Sequence, residues 1–336
     1  MTVPSPTPIR TQKKAAASSK EFVLSVFGPV LCDLIAKKGL EEISRNPDGR
    51  LWVKEAGPNW RCVGSMSDID TSTLIQSIAG DRGHVINEKS PALETELPEL
   101  GVRFTAARPP ICKAPLFSIR KMATRVYPLS DYVAFRVMTQ EQADFLESVV
   151  LSRQNVLIGG GTGSGKTTLL NTLLEIIAHK CPMDRVVTIE DTMEIQCSSE
   201  NLVNLYAKGD FRALDCLKLC LRLYPGRLVT GEVRDEEANA MLKSWNTGHP
   251  GSLATIHASS AAKSLTRLEN LVRESSVSVR NAKTLIADAV QVVVYMAAEK
   301  NLDLYPAGRS VREIALVLGY ARGKYQLEEV RMASQS

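Results

Sequence analysis

A chain of 336 residues that is 44% apolar and 23% charged has the composition of an ordinary globular protein, and its length suits two domains of roughly 100–200 residues each. Seven cysteines, an odd number without a CxxC pair, argue against a disulfide framework or zinc site and for reduced thiols, and no apolar run approaches the roughly 18 residues that span a bilayer. The net charge of +4 suits anionic lipid, nucleic acid or ATP and singles out none of them.

Residues 1–20 are rich in Pro, Ser, Thr, Lys and Ala, lack an apolar signal core, and read as a flexible tail. Arg10, Lys13, Lys14 and Lys20 give that tail a means of touching anionic lipid, although a solvated tail is the simpler reading. Residues 22–40 carry apolar side chains at helical spacing and stop at Gly39. Asn46-Pro47-Asp48-Gly49 is a turn that leads into a short strand at 51–53. A helix over 70–79 and two strands, 101–105 and 116–120, paired around Pro109-Pro110, complete an α+β module spanning 21–120. Residues 121–137, with Pro128 near their middle, read as a linker to a second domain, 138–336.

The rhythm changes in that second domain. Short apolar strands are expected at 156–158, 186–189, 202–205, 228–230 and 253–256, with helices over 166–179, 211–223 and 236–246. Alternation of this kind predicts an α/β fold, a mainly parallel sheet covered on both faces. Such sheets bind ligands at the carboxyl ends of their strands, and each motif below follows a predicted strand.

Gly160-Gly161-Thr162-Gly163-Ser164-Gly165-Lys166-Thr167 matches the G-x-x-x-x-G-K-[ST] pattern. Glycines let successive backbone N–H groups turn toward phosphate oxygens. Lys166 can then reach the β- and γ-phosphates, the Thr167 hydroxyl can ligate Mg²⁺, and Thr168 continues the helix whose positive end faces the anion. From background frequencies, about 0.01 such matches are expected by chance in a chain of this length. The expected ligands are ATP and Mg²⁺.

Three carboxylates, Glu190, Asp191 and Glu194, follow the strand at 186–189. Beside a P-loop they can hold Mg²⁺, with Asp191 the metal candidate, or orient the attacking water; a polar strand-to-loop transition is the bland alternative. Arg227-Leu228-Val229-Thr230-Gly231-Glu232 is a Walker B pattern in which Glu232 can accept a proton from the lytic water. In Gly248-His249-Pro250-Gly251-Ser252-Leu253-Ala254-Thr255-Ile256-His257, two of the four histidines lie close together. His257 can sense the γ-phosphate. Their eight-residue separation is not a usual metal-ligand spacing, and capping of loop backbone is the plain alternative for either.

Walker A, acidic box, Walker B and histidine box occur here in the order typical of the secretion-ATPase superfamily of type II and type IV secretion, type IV pili and conjugation. The chain resembles that family also in Asn46-Pro47-Asp48-Gly49-Arg50-Leu51-Trp52-Val53, in Ser118-Ile119-Arg120-Lys121 and in Trp245-Asn246-Thr247-Gly248-His249-Pro250-Gly251, so that the resemblance covers roughly 30–330. It implies a RecA-like P-loop ATPase domain preceded by a smaller PAS-like domain, with nucleotide between them and a basic residue from the N-terminal side. Arg103 and Arg120 occupy the positions where such arginines occur. It further implies a homohexameric motor for conjugative transfer or type IV secretion that works with inner-membrane channel components. With no spanning run and a modest positive charge, a cytoplasmic protein peripherally associated with the inner membrane is expected. The tetracysteine motif of pilus-assembly and type II members is lacking, which points to the conjugation and type IV branch or to pilus retraction motors. A nucleic-acid-translocating ATPase is the rival enzyme, yet basic loops interleaved with aromatics are not evident, and no sequence-specific nucleic-acid binding is expected. A non-hydrolysing assembly platform is disfavoured because Lys166, Thr167 and Glu232 are all present. Residues 201–208 and 300–309 follow no assignable pattern.

Overall fold

Val23, Phe27, Leu31 and Ile35 recur at four-residue intervals, and in the computed structural model this stripe is the buried face of a helix, α1 (Lys13–Ala36). Gly28, at a φ of 69°, and Pro29 break its regularity. The structure describes residues 13–55, 59–122, 125–275 and 281–330. Residues 1–12 of the expected tail, Arg10 among them, lie outside the described residues, whereas from Lys13 the chain is helical. Two units are distinguished, 1–124 and 125–336.

In the first unit α1 leads into β1 (Leu40–Arg45), β2 (Arg50–Glu55) and β3 (Trp60–Ser65). There follow α2 (Asp68–Asp81), β4 (Ala92–Leu97), β5 (Val102–Ala107) and β6 (Leu116–Lys121). The strands form an antiparallel sheet in the order β3-β2-β1-β6-β5-β4. Alternation sends Ile43, Val53, Phe104, Phe117 and Ile119 to one face, where α1 and α2 cover them with Phe27, Leu31, Leu74 and Ile78. The expected turn is present, with Gly49 at a φ of 85° donating its N–H to Asn46 O at 2.9 Å. Three strands escaped the sequence reading: β1, β3 and β4. β1 and β4 mix Glu with apolar residues, and β3 is exposed along nearly its whole length, so none has a clean two-residue period.

The second unit runs α3 (Leu129–Ala134), α4 (Gln140–Leu151), β7 (Val156–Gly160), α5 (Lys166–Lys180), β8 (Val186–Glu190) and β9 (Leu202–Tyr206). Next come α6 (Ala213–Cys220), β10 (Arg227–Thr230), α7 (Glu237–Asn246) and β11 (Leu253–His257), then α8 (Ala261–Glu274), α9 (Ala282–Ala289), β12 (Val292–Ala298), β13 (Arg309–Ala321) and β14 (Lys324–Glu329). The sheet order is β14-β13-β12-β7-β11-β10-β8-β9. From β12 to β9 the neighbours pair in parallel, and β13 and β14 add an antiparallel ribbon. All residues of β7, β8 and β10 are buried, as central parallel strands covered on both sides must be. One face packs on α3, α4 and α5 through residues such as Leu146, Leu170 and Leu173; the other packs on α6 to α9 through Leu217, Met241, Leu265 and Ile286. The α/β fold with a mainly parallel, doubly covered sheet agrees with the expectation.

The stretch 121–137 is not a free linker at either end. Lys121 completes β6, and Leu129–Ala134 form α3 with Pro128 as its N-cap, a position at which a missing N–H costs nothing. Tyr132 and Val137 are buried in the core of the second unit, and Thr172 Oγ1 donates to Tyr127 O at 2.7 Å. Apolar side chains at Tyr132, Val137 and Met138 explain why this segment packs rather than bridges.

Candidate nucleotide site

β7 ends in two glycines that their close neighbours require. A Cβ on Gly159 would lie 2.0 Å from Ser264 Oγ, and one on Gly160 would lie 2.4 Å from Ser164 Oγ and 2.6 Å from the Met296 carbonyl. The chain then turns through Gly163 (φ 73°) and Gly165 (φ 92°), left-handed backbone that suits glycine. Gly161, Thr162 and Gly163 are exposed at the top of the loop, while Ser164 and Lys166 are buried beneath it. Ser164 Oγ donates to Gly161 O at 2.9 Å, and Lys166 Nζ reaches back to the same carbonyl at 3.0 Å. Thr167 and Thr168 are half-buried in the first turn of α5, whose unpaired N–H groups and partial positive charge favour an anion. Glycine turns, a buried lysine and a helix N-terminus together form a cradle shaped for phosphate oxygens.

The three carboxylates at and after the end of β8 take separate places. Glu190 is buried, and its Oε2 accepts the backbone N–H groups of Glu194 and Ile195, both at 2.9 Å. Its carboxylate is thus a fastener for the loop as well as a charge near the site. Asp191, expected to ligate metal, instead makes an ion pair with Arg234. Glu194 reaches the P-loop helix, its Oε2 accepting the Thr167 hydroxyl at 3.3 Å. The loop therefore delivers its last acid, rather than Asp191, to Thr167, the hydroxyl expected from the sequence to ligate Mg²⁺. Thr167 and Glu194 supply the hard oxygen donors that Mg²⁺ prefers.

Glu232 follows β10 through Gly231, whose N–H donates to Ile189 O at 2.8 Å and whose carbonyl accepts the Thr255 hydroxyl at 2.5 Å. The carboxylate contacts Arg234 Nη2 at 2.9 Å and His257 Nε2 at 3.2 Å. Burial acts to raise the Glu232 carboxyl. The hydrogen bond and charge of Arg234, with His257 and Lys166 behind them, outweigh it and hold the group below the usual carboxylate range. A cavity of about 240 Å³, lined in part by Asp191, Phe211, Arg212, Thr230 and Glu232, opens beside this pair. His257 ends β11 at the level of Gly160, its register partner. His249 precedes β11 and caps backbone, its Nδ1 2.9 Å from the Pro225 carbonyl, which makes the two histidines opposite ends of one strand rather than a pair.

Arg103 and Arg120 are register partners on β5 and β6 and so share the polar face of the first unit's sheet. Arg103 pairs with Glu94 at 3.1 Å, and Arg120 is exposed. One basic residue near the P-loop was missed by the sequence reading. Arg309 opens β13, and its Cδ is 3.1 Å from where a Cβ on Gly165 would sit. It lies at the end of the unassigned stretch 300–309, and only the pairing of β13 with β12, next to β7, brings it there. A long-range neighbour of this kind leaves no local mark.

A family described as type II/IV secretion system protein matches residues 87–303. The chain belongs to that family. Among curated relatives, the conjugal transfer protein TrbB of Rhizobium radiobacter is 40% identical over 302 residues, spanning 90% of this chain and 91% of its own. Protein VirB11 of Agrobacterium fabrum is 32% identical over 305 residues, or 80% of this chain and 87% of its own. The Legionella pneumophila ATPase DotB shares the fold, with a TM-score of 0.62 at 20% identity over 93% of this chain and 83% of that one.

Proposed function

We propose that this secretion-family ATPase hydrolyses ATP as one subunit of a homohexameric motor that powers conjugative transfer or type IV secretion. The observation that carries the reading is the meeting, at the carboxyl ends of β7, β8, β10 and β11, of a phosphate cradle, an acid on Thr167 and an ionised acid in contact with a histidine. In this reading Lys166 and the loop N–H groups bind the β- and γ-phosphates. Thr167 and Glu194 are the residues that would hold Mg²⁺, which supplies charge neutralisation at the phosphates. Glu232 takes the proton of the attacking water, and His257 reports the state of the γ-phosphate to the sheet. Arg120, exposed and not committed as Arg103 is to Glu94, is the better candidate for added positive charge at the transition state.

Among the described residues no helix is long and apolar enough to cross a membrane, and we place the motor at the cytoplasmic face of the inner membrane, held there by channel components. The direct test is phosphate release by the purified chain, combined with negative-stain imaging in the presence of an ATP analogue. Mg²⁺-dependent release and six-fold rings are expected. Absence of release with intact nucleotide binding would turn the protein into an assembly platform, and stimulation by DNA would turn it into a translocase.

The Arg234 contact carries a further expectation. Because Arg234 holds Glu232 ionised, Arg234→Ala raises the carboxyl toward its ordinary value, and the base is then protonated at higher pH. The acid limb of the kcat/KM profile, which reports the free enzyme, should move upward in pH while the alkaline limb stays in place. A profile that merely scales down at every pH would assign Arg234 to folding alone.

A further inference from the structure

Asn171 stands out within α5 as a buried amide set among leucines. Leu169, Leu170, Leu173, Leu174 and Ile177 fill the core, yet Asn171 is 1% exposed among them. A buried amide is costly unless its polar atoms are satisfied, and here they are satisfied by one short segment. Asn171 Nδ2 donates to the Glu194 carbonyl at 3.0 Å, and its Oδ1 accepts the Gln196 N–H at 3.0 Å. The side chain thus pairs with the loop backbone through both a donor and an acceptor.

Glu190 completes the arrangement from the other side, since its Oε2 holds the N–H of Glu194 and of Ile195. The main chain of Glu194 is therefore fixed at both its N–H and its carbonyl. Gly231 makes room for this. A Cβ there would be 3.1 Å from Glu190 Cβ and 3.5 Å from Ile195 Cδ1. Asn171 lies four residues after Thr167, on the same face of α5. The residue that clamps Glu194's backbone and the residue that meets Glu194's carboxylate thus stand one helical turn apart.

We infer that Asn171 is a positioning residue that locks the 190–196 loop onto the P-loop helix and so sets the Glu194 carboxylate at Thr167. This rests on the ATPase reading of the same site. The loop has irregular backbone, and without the clamp Glu190 alone holds the Glu194 main chain, so its carboxylate shifts from Thr167. Mg²⁺ binding and turnover then suffer together, whereas phosphate contacts through Lys166 and the loop amides do not.

The test compares Asn171→Leu, which removes both hydrogen bonds at similar volume, with Asn171→Asp, which loses the donor to the Glu194 carbonyl. Ile177→Val, a mild core change on the same helix, is the stability control. Mn²⁺ affinity in the presence of a non-hydrolysable ATP analogue is read by electron paramagnetic resonance, and kcat and KM by phosphate release. Both Asn171 variants should weaken Mn²⁺ binding at least about fivefold and lower kcat at least about tenfold. ATP affinity in EDTA should stay within about twofold. If they lower the melting temperature as Ile177→Val does, yet leave Mn²⁺ affinity unchanged, Asn171 is structural and the inference is overturned. If one variant does not fold, the other decides. A wild-type chain that releases no phosphate defeats the ATPase reading, while the Mn²⁺ measurement still decides the role of Asn171.

Discussion

Glu232→Gln should bind ATP within about twofold of wild type and hydrolyse it at least about 100-fold more slowly, the usual span for loss of a general base. The amide keeps the shape of the carboxyl and one acceptor oxygen, so contacts with Arg234 Nη2 and His257 Nε2 survive in part and the strand end need not rearrange. What disappears is the ability to take a proton. The wild-type group is well prepared for that task, because Arg234 holds it ionised against the effect of its own burial. Its pKa lies on the low side for an efficient base, however, and Brønsted behaviour ties efficiency to a pKa near the working pH. Loss of the Arg234 contact when nucleotide enters would raise it in the useful direction. Titration of ATP binding by fluorescence and single-turnover phosphate release separate the two effects. If the variant turns over at the wild-type rate, the proton goes elsewhere, and Glu194, the acid on Thr167, is the next group to replace.

What the sequence disclosed and what it hid follow from how each residue finds its partners. Walker A, Walker B and the histidine box are local. A strand, a turn and a helix start adjacent in sequence suffice to place Lys166 and Thr167 at a helix start and Glu232 and His257 at strand ends, and they stand there. The acidic box was legible only as a cluster, because after β8 the backbone has no period from which to read where each side chain points. The structure divides the cluster, sending Glu190 to backbone N–H groups, Asp191 to Arg234 and Glu194 to Thr167. Asn171 gave one overlooked signal, an amide four positions after Thr167 set among leucines. Arg309 gave none, since its place depends on β13 returning beside β12. The three valines of Val292–Ala298 carried a readable strand signal, and the residues that flank it in space, from β7 and β13, were not predictable from that segment. Proline at 128 misled in the other direction, because the same residue that ends an element also caps the start of α3.

Lys166→Ala should lower hydrolysis below detection and weaken ATP binding by at least about tenfold, the value of one lost charge-assisted contact of roughly 1.4 kcal/mol or more. The lysine is 7% exposed, and its ammonium rests 3.0 Å from the Gly161 carbonyl, over the loop that phosphates would occupy. A buried cation is tolerated there because the carbonyl and the depressed Glu232 carboxylate offset its desolvation. When a triphosphate enters, that cation has only to exchange one oxygen for another. The neutral methyl of alanine offers nothing to the charge that accumulates on the β–γ bridge during phosphoryl transfer, so the effect on turnover exceeds the effect on binding. Alanine at the first position of α5 also has the best helix propensity, and the helix should persist, keeping Thr167 and Asn171 in place. Equilibrium dialysis with ATP and phosphate release under saturating nucleotide test the two halves of the prediction. Wild-type turnover in Lys166→Ala would remove the P-loop from the catalytic centre, and unchanged affinity with lost turnover would confine the lysine to the transition state.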